Sequence, residues 1–222
     1  FAERSHERAA AAQEAGYFQR EIVPVPVARW SETRDAAAAE FARDETIRPG
    51  TLASKLAALQ PSFRPEGGRL TAGTSSQISD GAAALLLMDA DTAARRGLRA
   101  RARIVAMATV GSDATLMLTG PMAATRRVLQ KAGLTPGDID LFEVNEAFAC
   151  VPLAWQRELE VPSEQLNVNG GAIALGHPLG ATGARIMTSL LHELERRGAR
   201  RGLQAICCGG GMATATIIER LP

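Results

Sequence analysis

Charge of one sign is in no excess here: 25 basic and 24 acidic side chains give a formal net charge of +1. That balance offers no electrostatic footprint for a nucleic-acid partner. Cysteine is sparse, with only Cys150, Cys207 and Cys208, and no C-x-x-C pair among them. The three histidines, His6, His177 and His192, are scattered. Neither a disulfide framework nor a zinc-ligand spacing can be built from these residues, so no metal is expected. Free thiols suit a reducing compartment, and a cytoplasmic location is expected. No apolar run approaches the ~20 residues that span a bilayer, so no membrane association is expected. No secretory leader is visible, and the chain reads as beginning inside an element. There is no internal repeat. G-x-G-x-x-G and the P-loop spacing are both missing, and no lysine accompanies the glycine loops, which argues against a phosphate-binding loop.

What is present in quantity is glycine, and it is concentrated. The stretch Asn167-Val-Asn-Gly-Gly-Ala-Ile-Ala-Leu-Gly-His-Pro-Leu-Gly-Ala-Thr-Gly-Ala-Arg185 sets His177 in a turn ahead of an amphipathic segment. Pro178 biases His177 toward an extended backbone, so its imidazole belongs to the turn. A second glycine loop, Cys207-Cys-Gly-Gly-Gly211, follows the apolar run Leu203 to Ile206. A histidine loop and a cysteine loop together suggest thiol and acyl chemistry.

The 222 residues, 46% hydrophobic, suffice for one large or two small cores. Residues 1 to about 20 read as a helix. Glu21 to Val27, with Pro24 and Pro26, suits an edge strand or extended segment. Ala28 to Gly73 is polar and punctuated by proline and glycine, helical in patches such as Thr51 to Leu59, and resembles a lid-like loop domain. Gly81 to Met88 is a continuous apolar run expected to be a strand buried on both faces. Asp89 to Arg96 reads as a helix capped by Asp89 or Asp91. Strands are then expected at Arg101 to Gly111, Ile139 to Val144, Leu203 to Cys208 and Met212 to Glu219. Helices are expected at Thr119 to Ala132, Ala147 to Leu159 and Leu179 to Arg197. Alternating strands and helices with a final antiparallel pair indicate a layered α/β fold.

Six segments, in order, carry a resemblance to the thiolases (acetyl-CoA acyltransferases). They are Glu21-Ile-Val-Pro-Val25, Asp44-Glu-Thr-Ile-Arg48, Thr71-Ala-Gly73 with Ser76 and Asp80-Gly-Ala-Ala83, Asn145-Glu-Ala-Phe-Ala149, the His177 loop and the Cys207 loop. The likeness runs over essentially the whole chain, and the chain resembles the C-terminal portion of a protein about twice as long. It implies a layered αβαβα fold. Residues 1–74 would be part of a loop domain covering coenzyme A, 75–97 the closing strand and helix of the N-terminal domain, and 98–222 the C-terminal domain. It implies thiolytic cleavage of 3-ketoacyl-CoA or its reverse, the Claisen condensation of acetyl-CoA. Acyl-CoA and coenzyme A would be substrates, with no tightly bound cofactor, in a homo-oligomer (dimer or tetramer). The nucleophilic cysteine is expected upstream of this segment, leaving the chain alone inactive.

By the same resemblance, His177 activates that nucleophile and donates to the thioester oxygen, although a lone histidine is otherwise more often structural. Cys207 would be the general acid/base, if its surroundings lower its pKa toward neutrality; a cysteine ending an apolar strand is otherwise a small core residue. Asn145 would fix a water of the enolate oxyanion hole, where the residues alone suggest a helix N-cap. Gly209 would offer a backbone N–H to a second oxyanion hole. Ala147 and Phe148 would line the pantetheine channel, and Arg48, Ala72, Ser76 and Met117 would contact coenzyme A. Cys208 is read as packing. Two departures from the family pattern stand out: Gln77 and Ala213 each replace a common glycine. The same residues admit two other readings. A ketoacyl-synthase-type condensing enzyme would use histidine or asparagine at Cys207. A thiolase-like coenzyme A- or lipid-binding protein, or an inactive fragment, would not need so full a set of catalytic residues.

Overall fold

The computed structural model describes residues 1–26 and 40–222. Its first helix, α1 (Ala2–Glu14), ends where Gly16 takes a left-handed conformation with φ of 72°. The extended segment beyond it contributes a two-residue strand, β1 (Val25–Pro26), paired antiparallel with β2 (Glu40–Phe41). Val27 and the first part of the expected loop region, through residue 39, lie outside the described residues. The helical patch expected near Thr51 is a short helix, α2 (Ala53–Ala57).

Gly81 to Met88 corrects an expectation. The run is not a strand and is not buried: Leu86 and Leu87 are 79% and 68% exposed. An apolar run becomes a buried strand only when neighbours supply ladder hydrogen bonds and cover both faces. Among the described residues no strand does so. The helix after it, α3 (Ala90–Arg95), forms as expected, with the Asp89 carboxylate accepting from the Thr92 N–H at 2.9 Å.

The remainder is a mixed four-stranded sheet between helices. Its strands are β3 (Ala102–Gly111), β4 (Leu141–Val144), β5 (Arg201–Cys208) and β6 (Met212–Arg220), in the order β3-β6-β5-β4. β6 runs antiparallel to β3 and β5, while β4 and β5 are parallel. Side-chain alternation splits the sheet's faces. Phe142, Val144, Leu203, Ala205 and Ile217 face α4 (Gly120–Ala132) and α5 (Cys150–Leu159), where Trp155 is fully buried and its indole N–H donates to Thr125 at 2.8 Å. Leu141 and Ile218 face the long helix α7 (Thr182–Arg197), with Leu190 and Leu194 against them. A one-turn helix not anticipated from sequence, α6 (Ala172–Leu175), packs with α1 over Ala9, Ala12, Phe18 and Ile47.

Several boundaries move: α1 ends at Glu14 and not near residue 20, β4 opens at Leu141 and not Ile139, and β5 opens at Arg201 and not Leu203. α5 starts at Cys150 with Ala149 as N-cap, so Asn145 is not a cap. α7 starts at Thr182 and not Leu179, because Ala181 and Thr182 N–H both turn back to the Pro178 carbonyl.

Candidate active site

The parallel pair β4 and β5 ends at one edge of the sheet, the edge where α/β sheets hold ligands. Asn145 continues directly from β4, with its N–H donating to the Ala205 carbonyl at 3.0 Å. Cys207 lies two residues farther along β5, at the same edge. The start of α7 packs over this edge as well, since a side-chain carbon added at Gly183 would come within 3.7 Å of Ile206 Cδ1. The turn before α7 thereby carries His177 toward Asn145.

The imidazole of His177 is held at both nitrogens. The Asn145 amide Nδ2 donates to Nε2 at 3.2 Å, and Nδ1 lies 2.6 Å from Thr182 Oγ1. The Thr182 hydroxyl is committed as donor to the Pro178 carbonyl at 3.0 Å. Its oxygen must therefore accept from Nδ1–H, which leaves the lone pair on Nε2. Burial, and then the nearby Arg185 charge, push the His177 pKa below its ordinary value, so the neutral base form prevails near neutrality. Asn145 is itself 2% exposed, and its Oδ1 is buried with no protein partner. A buried carbonyl of this kind needs a donor, and a water or substrate group could supply it.

Cys207 behaves differently from the expectation. Burial at the end of β5 pushes its thiol up to about 11, so it stays protonated near neutral pH and is not tuned downward. The hairpin beyond it forms with Gly209–Gly211 as the loop and Cys208 paired to Met212. Gly210 and Gly211 have φ of 78° and 80°, and a side chain at Gly211 would strike the Ala114 backbone at 2.7 Å. Ala213 does not disturb this turn. It is a fully buried strand residue whose Cβ fills the space that Gly120 leaves open. Gly209 is exposed, with open space where a side chain would be.

The binding candidates fall into two groups. Ser76 N–H donates to the Ala147 carbonyl at 3.0 Å, Ala149 N–H to Thr74 at 2.8 Å, and Phe148 packs edge-on to Phe63. Ala72 opens the single helical turn leading to Thr74. Arg48 reaches this group through Gln77, whose own carbonyl accepts from the His177 N–H at 3.0 Å. Met117 belongs with the other loop. It sits at φ 51° in the segment after β3, which is tied to the hairpin by Ser112 N–H donating to the Gly211 carbonyl at 2.6 Å.

Three residues that hold this site together escape a reading of the sequence. Thr182 is hidden because it lies inside the expected helix. Glu146 is 1% exposed and accepts from Ser5 Oγ, Asn167 Nδ2 and the Ile173 N–H, tying α1 and α6 to the segment after β4. Burial pushes its pKa up. Asn167, at φ 45°, exchanges two hydrogen bonds with the Val144 backbone and so stands in for a strand neighbour of β4. An asparagine three residues ahead of a glycine pair, in Asn167-Val-Asn-Gly-Gly171, was the available signal for the last. Among the described residues no cluster of metal-ligating side chains occurs, and no helix is long and apolar enough to cross a membrane.

This geometry has close relatives. The crystal structure of the Bacillus anthracis acetyl-CoA acetyltransferase superposes with a TM-score of 0.93 at 45% identity, covering 99% of this chain and 54% of that one. That of human mitochondrial 3-ketoacyl-CoA thiolase gives 0.89 at 38% identity, covering all of this chain and 54% of that one. Curated relatives named 3-ketoacyl-CoA thiolase, from Cronobacter sakazakii and Aeromonas hydrophila, are 50% and 51% identical across the whole chain. The chain spans 57% of the length of each. The family model for the thiolase N-terminal domain matches residues 1–91, and that for the thiolase C-terminal domain matches residues 98–220. With the C-terminal model alone covering more than half of the 222 residues, the sheet and its site included, the chain belongs to the thiolase family.

Proposed function

We propose that this chain supplies the proton-transfer side of a thiolase site, which cleaves 3-ketoacyl-CoA with coenzyme A or runs in reverse as a condensation of acetyl-CoA. The observation that carries the reading is the Asn145–His177–Thr182 line at the sheet edge where β5 delivers Cys207. A neutral imidazole with its lone pair on Nε2 can take the proton of a nucleophilic thiol. The protonated imidazole then donates to the oxygen on which charge develops, beside a donor fixed by Asn145. The Gly209 N–H serves the second oxyanion position. Cys207 protonates the departing enolate in cleavage and removes the α-proton in condensation. Its raised pKa keeps it in the proton-donating form, the one cleavage needs.

The nucleophilic cysteine is assigned, by the resemblance to the thiolases, to polypeptide outside these 222 residues, since Cys150, Cys207 and Cys208 fall at other positions of the family pattern. Arg48, Ala72, Ser76, Ala147 and Phe148 line one approach for coenzyme A, and Met117 lines the other. Residues 1–74 serve as covering loops, 75–97 close the N-terminal domain and 98–222 form the C-terminal domain. The complete enzyme is read as a cytoplasmic homo-oligomer acting on acyl-CoA, with no tightly bound cofactor.

The test is the loss of acetoacetyl-CoA absorbance on adding coenzyme A. The complete enzyme should show it, and the 222-residue chain should not exceed the uncatalysed rate. Turnover by the chain alone overturns the placement of the nucleophile. An inert complete enzyme overturns the reaction.

A further inference from the structure

Gln77 stands where the thiolase pattern commonly has glycine, and its side chain is fully used. Nε2 lies 2.8 Å from the Thr46 carbonyl and 2.9 Å from the Ile173 carbonyl, so both of its hydrogens are donated. Two carbonyl oxygens facing one amide atom fix that atom as the nitrogen. Oε1 faces the other way and accepts from Arg48 Nη2 across a longer 3.4 Å. The backbone carbonyl of the same residue accepts from the His177 N–H at 3.0 Å. One residue thus touches the Thr46–Arg48 loop, α6 and the histidine turn.

The loop has two further anchors. Thr46 Oγ1 donates to the Ala174 carbonyl at 2.7 Å, and the Arg48 N–H donates to His6 Nδ1 at 3.2 Å. These hold the same two residues, and the Gln77 amide adds a bridge from the Thr46 carbonyl to the Ile173 carbonyl of α6 and a contact to the Arg48 guanidinium. A glycine at this position would keep the backbone bond to His177 and lose every side-chain bond. The geometry therefore separates what the backbone of residue 77 does from what its side chain does.

We propose that the Gln77 carboxamide is a clasp that seats the Thr46–Arg48 loop on α6 beside the His177 turn and orients Arg48 toward a coenzyme A thioester. Gln77 is a positioning residue that acts through Arg48. Its role toward coenzyme A rests on the thiolase reading above, whereas the seating of the loop does not.

Two variants separate the bonds. Gln77→Gly removes all three side-chain contacts. Gln77→Glu keeps shape, length and an acceptor for Arg48, but sets carboxylate oxygens against the carbonyls of Thr46 and Ile173. Amide hydrogen exchange on the 222-residue chain, without coenzyme A, should run about tenfold faster at residues 46–48 in both variants, the effect of losing roughly one net hydrogen bond. In the complete enzyme, Gln77→Gly should raise KM for coenzyme A several-fold, with the loss falling on KM and not on kcat. Exchange unchanged from wild type in Gln77→Gly overturns the clasp. Faster exchange with an unchanged KM overturns its role toward coenzyme A. A wild-type complete enzyme that does not use coenzyme A overturns the thiolase reading and leaves the loop result standing.

Discussion

Nδ1 of His177 and Oγ1 of Thr182 lie 2.6 Å apart, and the direction of that hydrogen bond sets which imidazole nitrogen keeps its lone pair. Thr182 is 1% exposed and spends its own hydrogen on the Pro178 carbonyl. The imidazole can then present only a lone pair at Nε2, the nitrogen that meets Asn145.

Thr182→Val should therefore scramble the tautomer. Removing the acceptor for Nδ1–H costs roughly 1 kcal/mol of preference, enough to lower kcat/KM of the complete enzyme about fivefold. Thr182→Ser should restore both rate and tautomer. Nitrogen NMR of the histidine-labelled chain reads the tautomer directly. An unchanged His177 spectrum in the valine variant would show that Thr182 only packs.

The hairpin after Cys207, the cap of α3 and the α/β alternation were legible because glycine and aspartate act through local backbone rules and apolar periodicity marks strands and helices. Gly81 to Met88 was misread because an apolar run carries no record of which strands flank it. Thr182 and Asn167 were missed for a related reason. Their roles depend on contacts with His177 and with Val144, which short-range patterns do not encode. His177, Cys207 and Asn145 could be named because a family pattern supplied their roles. The raised pKa of Cys207 comes from burial, which only the packed sheet reveals.

Alkylation should show Cys207 to be a poor thiolate at neutral pH. With the thiol pushed up to about 11, its reaction with iodoacetamide should keep climbing from about pH 8 toward pH 11. Tandem mass spectrometry of the modified peptide resolves Cys207 from the adjacent Cys208, and peptide mapping separates both from Cys150. A plateau near neutrality would mean that its surroundings lower the pKa instead.

Glu143 should make stability depend on pH. It lies on the α7 face of β4, 5% exposed, and burial pushes its pKa from 4.5 up to about 8. The folded state thus holds a proton that the unfolded chain releases above about 4.5. The stabilisation is complete below that pH and is lost as pH rises toward about 8. Thermal melts between about pH 5 and pH 8 should show Tm falling in the wild type and a shallower slope in Glu143→Gln. Parallel slopes would assign the pH dependence to other groups.

Gly171→Ala should destabilise the chain by about 1–3 kcal/mol or more, as overpacking does. The new methyl would lie 2.2 Å from the Glu146 carboxyl carbon, which Ser5, Asn167 and Ile173 hold in place. Urea denaturation measures the loss. A midpoint equal to wild type would show that Glu146 can shift without disturbing its donors.

The assignment of His177 as the residue that generates the nucleophile is tested most directly by burst-phase acylation of the complete enzyme. His177→Ala removes both the proton acceptor and an oxyanion donor, and should slow acyl-enzyme formation by ~10³-fold or more. Asn145→Ala removes the group that donates to Nε2 at 3.2 Å and the anchor of a neighbouring donor, but leaves the imidazole in place, and should cost less. The predicted result is a burst lost in His177→Ala and retained, though slower, in Asn145→Ala. Near wild-type acylation in His177→Ala, with none in Asn145→Ala, would contradict it.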